Sequence, residues 1–227
     1  FCKVYKEKIN MPFACLVSPL TISEEKMDIL VDGGMRVLQM GVESGSKKIQ
    51  ELFNRKQMSN ERLKGVFYII NKYKDRMYPP LYNFILDVPY ETDKDKIESL
   101  KLISEIPKPF FIQLFSLVLY PGTKLYELAK NDNLLENEKK QIYEKIYTMT
   151  MREANYLSLL ITLSKSGRLP GSLLKFLISA PILNILNSKP MKPLIKAIYI
   201  GMKTIYRFGK KFIGKKLFCK GAAVNCK

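Results

Sequence analysis

Residues 36–42, RVLQMGV, form a short apolar run, and residues 43–48, ESGSKK, follow it directly. The run reads as a strand and SKKIQELFN, from Ser46, as a helix, so the stretch is a strand–loop–helix unit. Its loop carries the carboxylate of Glu43, the hydroxyls of Ser44 and Ser46, and Gly41 and Gly45 on either side of Glu43. That is more chemistry than a simple turn requires.

The same alternation extends in both directions. Upstream, FACLV (Phe13 to Val17) is a second short strand. Thr21-Ile22-Ser23-Glu24 has the form of a capping box opening EEKMDILVD, which closes at Gly33-Gly34. Downstream, NERLKGVFYIINKYK is helical, and Pro79-Pro80 breaks it before the strand LYNFILDV (Leu81 to Val88). Thr92 with Asp95 resembles a cap for KDKIESLKLISEI. The strand FFIQLFSLV (Phe110 to Val118) follows, and Pro121-Gly122-Thr123 opens the helix KLYELAKN. Repeated strand–helix alternation predicts an α/β fold of parallel βαβ units with right-handed crossovers. The strands are continuous apolar runs, so both faces of the sheet are expected to be covered. From about Leu134 only helices are predicted.

Composition narrows the chemistry. With 47% hydrophobic residues among 227, the chain can bury a core. It has no histidine, which removes the commonest general base and excludes Ser-His-Asp and Cys-His triads. Cys2, Cys15, Cys219 and Cys226 match neither a zinc pattern nor a C-x-x-C pair, so no metal ligand is assigned; reduced thiols in a cytoplasmic setting are expected. The chain opens at Phe1 in what reads as a helix already under way, which suggests a piece of a longer protein, and no signal-peptide pattern is visible.

In parallel α/β folds the reactive residues gather where strands end, on the carboxyl edge. That rule collects Ser18, then Glu43, Ser44 and Ser46, then Asp87, Pro89 and Glu91, then Tyr120, Gly122 and Thr123. A carboxylate at a strand end suits a ribose diol or an ammonium group, and the glycines allow close backbone approach. An equally open reading is structural. Ser44 or Ser46 would cap the following helix, and Asp87 and Glu91 would be turn and first-turn acids.

Three blocks, LQMGVESGSKKIQELFNRK, YNFILDVPYETDKDKIESL and LFSLVLYPGTKLYELAK, resemble radical S-adenosylmethionine (radical SAM) enzymes in their order and spacing. The likeness is greatest to the group with a cobalamin-binding domain, whose blocks read G-[IV]-E-S-G-S, P-x-E-T and Y-P-G-T. It spans roughly residues 1–135. The resemblance implies the C-terminal part of a partial (β/α)6 TIM-like barrel in 1–135 and a mostly helical extension in 136–227. It implies S-adenosylmethionine across the strand ends, contacted by Glu43, Ser44 and Gly45 on the ribose and methionyl side. Asp87 and Glu91 would follow a later strand, and Tyr120 would border the adenine. Asp87 stands where the family more often has glycine.

The implied activity is reductive cleavage of S-adenosylmethionine at a [4Fe–4S] cluster, then hydrogen abstraction or cobalamin-dependent methyl transfer on an unidentified substrate. The family's C-x-x-x-C-x-x-C motif does not occur in these residues. The cluster ligands are therefore expected upstream, and the chain alone is expected to be inactive. No residue is assigned as catalytic, and proton chemistry would fall to Asp87, Glu91, Tyr82 or Tyr120. The alternative is a non-catalytic binding or membrane-surface module that kept the barrel scaffold.

Charge divides the chain. Residues 1–150 hold 23 Lys/Arg against 20 Asp/Glu, whereas residues 151–227 hold 15 against Glu153 alone. Within 190–218, Leu194, Ile195, Ile198, Tyr199, Met202, Ile205, Tyr206, Phe212, Ile213 and Leu217 recur at helical spacing. Lys196, Lys203, Arg207, Lys210 and Lys211 take much of the other face. Three readings stand: a helix packed on the barrel, a helix on an anionic membrane surface at the inner face of the membrane, and, weakest, a nucleic-acid contact. The longest charge-free run, Phe176 to Ser188, is shorter than a membrane span.

Overall fold

The computed structural model describes residues 1–135, 137–145, 155–201 and 204. Four strands, β1 (Phe13–Val17), β2 (Met35–Glu43), β3 (Leu81–Leu86) and β4 (Phe111–Ser116), form one parallel sheet in the order β1-β2-β3-β4. Helix α1 (Cys2–Lys8) precedes them. The connections are α2 (Glu24–Asp32), then α3 (Lys47–Leu52) with α4 (Asn60–Asn71), then α5 (Asp93–Ser104). Helix α6 (Lys124–Asn131) follows β4. Since the strand order never reverses, right-handed crossovers put α2 to α5 on one face. A barrel winds its strands this way, and a doubly wound sheet does not.

Local chemistry explains the helix starts. Ser23 caps α2, its hydroxyl accepting from the Lys26 N–H at 3.3 Å, and Glu24 and Glu25 complement the helix dipole. The box expected from Thr21 does not form. The Thr21 hydroxyl is taken by the Ser18 carbonyl at 3.1 Å, in a turn that ends β1. Thr92 and Asp95 do form a complete capping box on α5.

The helix-facing side of the sheet is apolar. Leu38, Met40 and Val42 of β2 are buried there with Tyr82, Phe84 and Leu86 of β3, beneath Leu63, Phe67 and Ile70 of α4. The Phe67 and Tyr82 rings lie 4.7 Å apart at 58°. Each such side chain contributes ~1.5–3 kcal/mol of apolar burial. Tyr82 is therefore a core residue. Burial alone drives its phenol far up, which removes it from the residues expected to move protons.

The opposite side departs from expectation. Gln39, Asn83 and Gln113 alternate with the buried residues, are only partly covered, and form an amide belt across three strands. The Gln39 Nε2 group donates to Asn83 Oδ1 at 3.1 Å and to Gln113 Oε1 at 3.3 Å. These polar residues interrupt the apolar runs at period two, so one face is covered and the other is open.

The C-terminal region is helical: α7 (Tyr156–Ser164), α8 (Gly171–Leu177), α9 (Ala180–Leu186) and α10 (192–201). Helices α7 and α8 pack on α5. Leu157, Leu160, Leu174 and Ile195 join the same apolar cluster as the sheet, so the core is continuous across residue 135. Among the described residues no helix is long and apolar enough to cross a membrane.

Candidate functional site

Two neighbouring strands end alike. Glu43 closes β2 at φ 68°, and Asp87, one residue beyond β3, has φ 57°. Neither is glycine, and left-handed backbone costs such residues ~1–3 kcal/mol, which the surrounding structure must offset. The β2–β3 register also shifts between Gly41 and Glu43, re-aiming the carboxylate at the sheet edge.

Glu43 is held from one side. Arg55, at the end of the α3 connection, reaches Glu43 Oε1 at 2.7 Å and the Gly41 carbonyl at 3.2 Å. The Glu43 side chain is 14% exposed. Burial raises its carboxyl above the ordinary range, against the opposing pull of Arg55. A Cβ on residue 41 would collide with Glu43 Oε1, so only glycine lets the carboxylate and Arg55 take this position. One guanidinium does not exhaust the lone pairs of a carboxylate, and a diol can still be accepted there.

The rest of the loop is tied inward. Ser44 is buried, its hydroxyl 3.2 Å from that of Ser99 on α5. The Gly45 N–H donates to Ser99 Oγ at 2.9 Å, and a Cβ at residue 45 would lie 2.6 Å from the Ser99 Cα, so loop and helix touch through backbone. Ser46 occupies the N-cap of α3, but its hydroxyl donates to Asp95 Oδ1 at 2.5 Å rather than capping. The Asn60 side chain donates to the Gly45 carbonyl at 2.9 Å, and its own Oδ1 is buried without a partner among the described residues. Burial would raise the Asp95 carboxyl, but hydrogen bonds from Ser46 and Thr92 and the charge of Lys48 hold it below the usual carboxylate range.

The remaining predicted residues share no hydrogen bond or ion pair with Glu43 among the described residues. Asp87 Oδ2 accepts from Ser116 Oγ at 3.0 Å and borders a small surface pocket with Pro89, Leu119, Gln141 and Lys145. Lys145 Nζ also donates to the Leu117 carbonyl. Glu91 has both carboxyl oxygens buried without a partner among the described residues. Tyr120 is exposed, and its carbonyl receives Thr123 Oγ1 at 2.8 Å. Sequence reasoning missed Arg55, Asn60 and Ser99. Their positions depend on how α3, α4 and α5 meet the loop, and no local motif marks them.

Among the described residues an iron–sulfur cluster finds no ligand set. Among the described residues no three His, Cys, Asp or Glu groups converge. Burial first, then the neighbouring Cys2, push the Cys15 thiol up, away from the thiolate a cluster needs.

Residues 2–103 match the Radical SAM superfamily family model. Among solved structures, coproporphyrinogen III oxidase (HemN) of Escherichia coli, a radical SAM enzyme, is similar with a TM-score of 0.49 at 18% identity. The match covers 72% of this chain and 34% of that one, so this chain spans about a third of its length. The radical S-adenosylmethionine methyltransferase TsrM of Kitasatospora setae, solved with cobalamin and a [4Fe-4S] cluster, is similar with a TM-score of 0.43 at 16% identity. That match covers 52% of this chain and 23% of TsrM.

Proposed function

We propose that this chain belongs to the Radical SAM superfamily and supplies the ribose-binding part of an S-adenosylmethionine site. The observation that carries the reading is Glu43: a carboxylate at a parallel strand end, in left-handed backbone, packed over a glycine that a side chain would make impossible, and held there by Arg55. The family match over residues 2–103 supports it. Glu43 accepts the ribose hydroxyls, Arg55 fixes the rotamer of Glu43, and Gly41 lets the Glu43 carboxylate lie against the strand. The Ser44–Ser99 and Ser46–Asp95 bonds act behind the loop and hold its backbone in place. S-Adenosylmethionine, when bound, supplies a sulfonium that a reduced cluster can cleave, and this chain holds no ligands for that cluster among its described residues. Cobalamin-dependent methyl transfer is the finer reading, and the order of the three sequence blocks supports it.

S-Adenosylhomocysteine tests the site without a cluster. Titrated into the chain and followed by calorimetry, it should bind saturably, and Glu43→Gln should weaken it at least ~10-fold, the loss of a charge-assisted bond. No saturable binding by the wild-type chain, or equal binding by the variant, would sink the assignment.

A further inference from the structure

Helix α10 turns aliphatic residues to solvent. Ile195 is buried and Tyr199 packs on the core, so the inward stripe runs through positions 195 and 199. At about 100° per residue the opposite arc carries Pro193, Leu194, Ala197 and Ile200, and Ile198 borders it on the flank across from Lys196. All five are exposed, with Leu194, Ile198 and Ile200 at 53%, 45% and 52%. A helix docked through one stripe ordinarily puts charge on its outer face. Here Lys192 and Lys196, both exposed, lie on one flank between the buried stripe and the aliphatic arc.

The inversion recurs in α8. Its Leu174 is buried, whereas Leu173 and Phe176, three residues apart on one side, are exposed, Phe176 at 59%. In α9, Ile185 is exposed too. Residues 155–201 hold six Lys/Arg and no Asp or Glu. Aliphatic side chains with purely cationic company suit one surface best. The core of a protein interface is depleted of lysine, and single-stranded nucleic acid is held by aromatic stacking rather than by leucine and isoleucine. An anionic bilayer takes both halves: acyl chains accept the aliphatic arc, and headgroups pair with the lysines.

We propose that the outer arc of α10, with the exposed residues of α8 and α9, lies at the headgroup–acyl boundary of an anionic membrane. The proposal does not depend on the activity assigned at Glu43.

Vesicle flotation of the whole chain tests it. Phosphatidylglycerol–phosphatidylcholine vesicles should carry the protein up, and phosphatidylcholine alone should carry at least ~10-fold less, because the lysines lose their counter-charge. The combined variant Leu194→Asn, Ile198→Asn, Ile200→Asn should lose at least ~10-fold in partition with an unchanged circular dichroism spectrum. No flotation with anionic vesicles would overturn the proposal. So would equal flotation of the folded variant, which would assign binding to charge elsewhere in the chain. A dimer in light scattering that the variant dissolves would mean that a second copy covers the arc, and that also overturns it. Should the triple variant not fold, Ile198→Trp gives an independent answer, since the chain has no tryptophan. Its emission should shift to the blue on anionic vesicles and be quenched by brominated acyl chains; an unchanged spectrum refutes the proposal.

Discussion

Glu91 holds two buried carboxyl oxygens that no donor meets among the described residues. Burial pushes its acid up to about 7, with Lys96 opposing and Asp95, Asp87 and Asp93 adding to the rise. The sign follows from linkage: the folded state disfavours the ionised form, so stability is full below the unfolded value near 4.5 and falls as pH rises through 7. The loss amounts to at most about 3 kcal/mol. Glu91→Gln should flatten this dependence, so urea midpoints of the variant should change less between pH 5 and pH 8 than those of the wild type. A parallel pH profile would show that Glu91 titrates normally. Glu43 is buried too, but Arg55 meets it. Two acids on one sheet edge thus differ in what confronts them, and only one has a partner to orient it.

At the scale of elements, the N-terminus of α5 joins two structures. Asp95 closes the capping box with Thr92 and accepts the hydroxyl of Ser46 from the β2 loop. Thr92→Ala should cost ~1 kcal/mol, an ordinary cap loss. Asp95→Ala should cost ~2–4 kcal/mol, because it also leaves the buried Ser46 hydroxyl without its acceptor. Chemical denaturation checks the difference, and equal losses would mean that Ser46 finds another partner. Much of this was legible in the residues: Thr92-x-x-Asp95 has the spacing of a cap, and Gly33-Gly34 marks the end of α2. The Thr21–Glu24 box gives way to a Ser23 cap because Ser23 lies closer to the first helical turn and the Ser18 turn captures the Thr21 hydroxyl. Positive φ at Glu43 is announced by nothing local, whereas Asp87 is a residue type that adopts it more readily than most.

At the scale of the whole molecule, burial is uneven. Helix α1 buries no residue, whereas Leu38, Met40 and Val42 of β2 are fully covered. Native-state hydrogen exchange should order them accordingly, with β2 amides at least ~10³-fold slower than those of α1, since local opening scales with the burial that must be undone. Comparable rates would mean that the sheet opens as easily as its first helix. The parallel α/β class was readable from strand–helix alternation. The open face was not, because Gln39, Asn83 and Gln113 are single polar residues inside apolar runs and look like noise until three strands align them. The margin of that sheet has its own consequence. Among the described residues β1 is bonded on one side only, and its sequence, FACLV, has no charge and no proline to discourage company. Its outer backbone amides and carbonyls form a bare hem, with Leu16 pointing out beside it. Such a hem accepts any extended segment of suitable length, a strand from elsewhere in a longer protein included, so the order of the sheet leaves its first strand ready to pair.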